Sequence, residues 1–275
     1  MKARQLLEHF TAMAPWFDRT RTVDRVLIGD IDKEVHKVLV TWMGTTAAVE
    51  YAAEHGFDMM IVHEPIFWYH TDVLEEVFAT EARRESAEQK KKLIEDSGLV
   101  IIRNHDTWDT ISGIGIADSL ASFLGFEKEY RPQTPQGQDV DRYHKRYDIE
   151  PVTFQELVNG IVKKTALIGQ PYVEMAGRPD TIVSKIGIGT GCGCNTDVFK
   201  QMGCDAAVVC DDGSLYWHNL AWAIDSGFPV IRMYHGTSEE PGVMAMAKYT
   251  AQTFPELEVE HYAYRSGIRL VVAAE

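Results

Sequence analysis

The chain has 275 residues, 45% of them hydrophobic and 25% charged, enough to bury a sizeable core as one large domain or two small ones. Its net charge of −14 argues against the basic patch that a nucleic-acid-binding surface needs, and no apolar run approaches the ~18 residues of a membrane span. The four cysteines crowd between Cys192 and Cys210 and no basic, apolar leader opens the sequence, so reduced thiols and a cytoplasmic location are expected.

In chain order, Arg4 to Met13 reads as a helix that ends near Pro15, and Val23 to Asp32 carries a short apolar run and a turn. Val35 to Val40 is rich in β-branched residues and reads as a strand. Gly44-Thr45-Thr46 supplies a turn and a plausible cap for a helix over Ala47 to His55, stopped by Gly56. Met59-Met60-Ile61-Val62 reads as a buried strand that ends in His63, Glu64 and Pro65. Proline cannot donate to a strand ladder, so the strand stops there, and ligands of α/β proteins bind beyond the carboxyl ends of strands. Taken alone, that ending is as readily a capped strand with one solvated acid.

Val73 to Asp96 is charged with apolar residues at helical intervals, an amphipathic pattern with a solvated face. Leu99 to Ile102 is the next buried strand and runs into Arg103-Asn104-His105-Asp106-Thr107-Trp108-Asp109. Gly115 to Leu124 reads as a helix closing the first half, and residues 127–150 as a polar connector. Thr153 followed by Glu156 is a capping-box pattern that starts another helix.

The second half repeats the first. Val183 to Ile188 echoes Val35 to Val40, and Gly203 to Asp211 echoes Gly56 to Glu64. Ser226-Gly227-Phe228-Pro229-Val230-Ile231-Arg232 leads to His235 as Ser97-Gly98-Leu99-Val100-Ile101-Ile102-Arg103 leads to His105. The expected fold is therefore α/β: two duplicated lobes related by a pseudo-two-fold, with mixed sheets and a site in the cleft between them. The first lobe spans 1–126, the connector 127–150 and the second lobe 151–275, whose last strand can pack back on the first.

Three strand endings carry the chemistry. One supplies His63 and Glu64, one His105 and Asp109, and one His235 and Glu239 ahead of Pro241-Gly242. The last two pairs are four apart, on one side of a helical turn. Three imidazoles and three carboxylates suit two divalent ions ~3.5–4 Å apart, and mixed nitrogen and oxygen donors favour zinc, iron or manganese. Glu64, or a carboxylate left unbridged, is the candidate general base. Asp211 and His218 are candidate substrate contacts. Cys192, Cys194, Cys204 and Cys210 do not follow a zinc-ribbon spacing and read as small core residues, with a second metal site as the rival. Gly187 to Cys194 reads as a tight turn, with anion binding as the rival.

From Val23 onward the chain resembles the Nif-three-like family of dinuclear-metal-centre proteins, whose bacterial members are often labelled GTP cyclohydrolase I type-two homologues. The likeness rests on His63-Glu64-Pro65, on His105-x-x-x-Asp109 and on His235-x-x-x-Glu239-x-Pro241-Gly242. In that family the first motif normally has two histidines, so Glu64 is a departure, exchanging a neutral nitrogen donor for an anionic oxygen. The resemblance implies His63, His105, Asp109, His235 and Glu239 as metal ligands, with Glu64 a replacement. It also implies a homohexameric ring and hydrolysis of a small-molecule substrate such as a nucleotide. A non-catalytic metal-dependent assembly or metal-handling protein is the alternative.

Overall fold

The computed structural model describes residues 1–72, 81–130, 142–265 and 267–271. The chain divides into two compact units, Met1–Ile111 with Val243–Tyr264 and Ser112–Gly242 with Arg265–Glu275.

The first unit is built on a five-stranded sheet in the order β1-β4-β3-β2-β10. Its strands are β1 (Val26–Ile28), β2 (Lys37–Met43), β3 (Met59–Glu64), β4 (Val100–Arg103) and β10 (Glu258–Tyr262). The last four run parallel and β1 is antiparallel to β4. Every residue of β3 and β4 is buried, as a continuous apolar run in a central parallel strand requires. The helix Thr46–Glu54 connects β2 to β3, with Thr45 accepting a hydrogen bond from the Ala48 amide at 3.2 Å. Its Ala48, Val49 and Ala52 pack with Leu39, Met60, Val62 and Ile101, and Ile94 of the helix Glu81–Ser97 joins the same core.

The second unit carries the order β5-β7-β8-β9-β6, with β5 (Lys145–Thr153), β6 (Glu174–Ala176), β7 (Ile182–Ile188), β8 (Ala206–Cys210) and β9 (Val230–Met233). Strands β7, β8 and β9 are parallel, and both edge strands are antiparallel. Thr153 and Glu156 form the capping box of the helix Phe154–Leu167, whose Phe154, Leu157, Val158 and Ile161 enter the core over Ile186, Val208 and Ile231.

The duplicated blocks adopt matching local structure. Strands β2, β3 and β4 have β7, β8 and β9 as counterparts in position and direction. Asp58 accepts the amides of His36 and Lys37 at 2.9 and 3.1 Å, and Asp205 those of Ser184 and Lys185 at 2.9 and 3.0 Å. Each aspartate thus pins the start of one parallel strand to the start of the next, a bond that a pattern of apolar residues alone does not encode. The far edges differ, because β10 runs parallel to β2 whereas β5 runs antiparallel to β7.

Three boundaries depart from the sequence reading. The first unit's opening segment ends at Ile111 rather than residue 126, because the helix Ile116–Leu124 buries Leu120, Ala121 and Leu124 in the second unit's core. The expected connector 127–150 contains most of β5, whose alternation of Tyr147 inward with Arg146 and Asp148 hid an edge strand; residues 131–141 lie outside the described set. Residues from Val243 to Tyr264 belong to the first unit: β10 packs back beside β2, as the sequence reading allowed, but the helix residues ahead of it go with it rather than with the second lobe. Of the amphipathic stretch Val73 to Asp96, residues 73–80 also lie outside the described set.

Candidate metal centre

In the first unit the ends of β3 and β4 bring four of the expected residues together. His63 is fully buried, and its Nδ1 lies 3.2 Å from the Asn104 carbonyl oxygen, which can only accept. A hydrogen on Nδ1 therefore serves that carbonyl, which leaves Nε2, 3.3 Å from Asp109 Oδ1, as the nitrogen that could hold a metal. The His105 ring stacks on the His63 ring at 4.7 Å and 17°. His105 Nδ1 lies 3.0 Å from Asp106 Oδ1 and 3.4 Å from Asp109 Oδ2, and its Nε2 lies 3.7 Å from Glu64 Oε1. His63, His105 and Asp109 each offer a donor atom, all within 4.8 Å of one another; Glu64, His70 and His105 form a second such group.

Burial pushes the His105 pKa down, but the Asp109, Asp106 and Glu64 carboxylates outweigh it and raise the value to about 9. Burial works against Asp106 as well, yet hydrogen bonds from His105 and Thr22 hold its carboxyl well below the usual range. His70 is kept below the usual imidazole value by burial and by the nearby Arg103 and His105. Three carboxylates thus face three imidazoles, an excess of negative charge that a divalent cation would neutralise.

Several residues that shape this site were not legible as site residues. Asp24 accepts the backbone amides of His105, Asp106 and Thr107 at 2.6, 2.9 and 2.8 Å, capping the helix Asp106–Thr110 from a distant segment and fixing the His105 backbone. Arg103 is buried, donating to the His63 carbonyl at 2.9 Å, to the His70 carbonyl, and to Glu64 Oε2 at 2.9 Å. One Glu64 oxygen is therefore committed to a guanidinium while the other faces His105. Asp72 accepts the Ile66 and Phe67 amides at 2.7 Å each, and the buried Lys90 ammonium donates to the Ile66 carbonyl. That clamp fixes the loop carrying Glu64 toward His70. The only sequence signal for His70 is its place in the loop leaving β3, and for Arg103 its place at the end of a buried strand.

In the second unit the helix His235–Thr253 begins at the third expected pair. His235 Nε2 lies 2.9 Å from Glu239 Oε1, and Glu239 is buried. Asp211 accepts the His235 amide at 2.6 Å, so this candidate substrate contact also positions the His235 backbone, as Asp24 does for His105. Pro241 lies inside the helix, where its missing amide gives up one hydrogen bond. His218 is exposed on the turn Tyr216–Leu220. The glycine-rich segment folds on itself: a Cβ on Gly189 would lie 2.0 Å from the Gly193 carbonyl oxygen. Gly191 adopts φ +48°, and a Cβ there would lie 3.1 Å from Glu239 Oε1 and 3.3 Å from His235 Nε2. Those close approaches leave no room for a side chain at Gly189 or Gly191, as the tight-turn reading expects.

Among relatives, a Clostridium perfringens protein called GTP cyclohydrolase 1 type 2 homolog is 22% identical over 234 residues, 81% of this chain and 80% of that protein. A hypothetical protein of Staphylococcus aureus superimposes with a TM-score of 0.79 at 17% identity over 99% of both chains. A Bacillus cereus protein related to NIF3 gives 0.75 at 14% identity over 99% of each, and reduced HcgD from Methanocaldococcus jannaschii 0.65 at 18% over 95% and 97%. These structures share the fold. The family model described as Duf34/NIF3 (NGG1p interacting factor 3) matches residues 1–266, and the chain belongs to that family.

Proposed function

We propose that the chain is a metal-dependent hydrolase that uses two divalent ions, zinc, iron or manganese, on a small nucleotide-like, phosphoester or cyclic amide substrate. The observation that carries this reading is the convergence of His63, His105 and Asp109 donor atoms within 4.8 Å, with Glu64 and His70 grouped around the same His105. The donors fit such ions by type, being imidazole nitrogen and carboxylate oxygen without thiolate. His235 and Glu239 join the ligand set in this proposal, on the strength of their sequence motif and their 2.9 Å pairing. When bound, the ions would lower the pKa of a water and stabilise a developing oxyanion.

The chain's own groups have distinct tasks. Asp24 and Asn104 fix the two stacked imidazoles, and Asp106 orients His105. Arg103 holds one oxygen of Glu64, leaving the other as a ligand or general base. Asp211 and His218 remain proposed substrate contacts. A homo-oligomer, a hexamer by resemblance, belongs to the same reading. GTP enters as a substrate through the name of the Clostridium perfringens relative. Among the described residues no helix is long and apolar enough to cross a membrane.

The full burial of His63 and the engagement of Glu64 by Arg103 favour a second reading, a closed site that stores or hands on metal. Elemental analysis of protein purified without added metal, with GTP and phosphodiester assays on the same sample, separates the two. About two ions per chain with turnover supports the hydrolase. Firmly held ions without turnover supports the metal-handling reading, and metal-free folded protein overturns both.

A further inference from the structure

The second unit contains a pair of thiols that the metal chemistry does not use. Cys194 follows the glycine-rich turn and Cys210 ends β8, and both are fully buried. Their sulfurs lie 3.6 Å apart, in van der Waals contact. The Cys210 amide donates to Cys194 Sγ at 3.1 Å, so the backbone itself aims one sulfur at the other. Cys210 Sγ also faces the Gly191 carbonyl at 3.6 Å, which limits its other rotamers. A disulfide needs its sulfurs ~2.05 Å apart, a closure of roughly 1.5 Å that side-chain rotation and a small loop shift can provide. Cys192 is exposed and two residues from Cys194, while Cys204 lies on the far side of the helix Thr196–Gln201 in sequence, before β8.

We infer that Cys194 and Cys210 are a reversible oxidation site, closed to a disulfide by a small hydroperoxide and reopened by a low-molecular-weight thiol. In the first step a sulfur of the pair attacks the peroxide and the O–O bond breaks. The sulfur becomes a sulfenic acid, and the hydroxide that leaves takes the thiol proton as water. In the second step the other sulfur displaces the sulfenic oxygen, the S–S bond forms, and the oxygen leaves as water with the second thiol proton. Two thiols thus lose two electrons and two protons, and one hydrogen peroxide yields two waters. Reduction by two equivalents of thiol reverses the change through a mixed disulfide. Hydrogen peroxide is small enough to reach a buried pair through local opening.

The closing link also bears on the metal site of the same unit. Gly191 lies between the Cys210 sulfur and the His235–Glu239 pair, so the loop shift that closes the disulfide moves the backbone packed against that pair.

The test is oxidation of the intact reduced protein with hydrogen peroxide, followed by thiol titration in denaturant and peptide mapping without reductant. Two of the four thiols should disappear, the intact mass should fall by two hydrogens, and one linked peptide should join Cys194 to Cys210. Dithiothreitol should restore all of them. Cys192→Ser and Cys204→Ser should keep the link, and Cys194→Ser should lose it. Four titratable thiols after oxidation, or a link that includes Cys192 or Cys204, overturns the inference. This readout does not depend on metal or on turnover, so it stands or falls separately from the proposed hydrolase.

Discussion

The two units spend the same three-strand frame differently. In the first, β3 ends in His63 and Glu64; in the second, the matching strand β8 ends in Cys210 and is followed by Asp211. The polar pair of the first faces His105 and Asp109 and is braced by the buried Arg103. Its counterpart Arg232 pairs instead with the exposed carboxylate of Glu174, and donates to the Ser214 carbonyl at 3.2 Å. The frame sets where a strand end lies, and the residue placed there decides whether it gathers imidazole and carboxylate or a sulfur pair.

The largest contrast concerns metal. His105→Ala and Glu239→Ala should each leave a soluble folded protein whose metal content drops to background in elemental analysis. Full metal content in both would break the proposed ligand set.

The arginines sharpen the comparison next. Arg103→Ala leaves the Glu64 carboxylate buried without its cation and should cost ~3–5 kcal/mol in urea unfolding. Arg232→Ala removes an ion pair with an exposed partner and should cost no more than ~1 kcal/mol. Equal losses would mean that burial does not distinguish the two copies.

Lys90 gives a pH signature that belongs to the first unit alone. Burial lowers its pKa from 10.5 to about 8, with Asp72 opposing. Between those values the unfolded chain holds the proton more tightly, so stability should rise as pH climbs through the window, by up to ~3 kcal/mol. Below about pH 8 both states are protonated and this contribution to the pH dependence vanishes. Unfolding midpoints of wild type and Lys90→Met across that range should diverge; parallel curves would place the lysine in water.

The smallest expected difference is between Asp58→Ala and Asp205→Ala. Each removes a carboxylate that joins two strand starts, so each should cost ~1–3 kcal/mol, with the two values within ~0.5 kcal/mol. A larger gap would show that the duplicated frame no longer bears equal strain.

Much of this comparison was legible in the sequence. Buried strands announce themselves as apolar runs, so Met59 to Val62 and Ala206 to Val209 were readable, and the polar residues that end them stood out as candidate ligands. Arg103, Asp24 and Asp72 were not readable in their roles, because each acts on a partner chosen by tertiary proximity. Asp24 caps a helix that starts 82 residues later, and nothing local to Asp24 records that. The edge strand β5 failed for another reason: it alternates charged and apolar residues and contains a proline, so it resembles a polar linker.

The discontinuity of the first unit has a consequence for how the chain is made. Its sheet lacks one edge strand until β10 leaves the ribosome, after nearly the whole second unit has been synthesised. Throughout that interval the outer edge of β2 exposes unpaired backbone groups, the usual template for intermolecular strand pairing. Translation therefore completes the sheet that carries the stacked histidines only near the end of synthesis, and a stop codon ahead of Glu258 would leave a nascent product with an open edge and a strong tendency to aggregate.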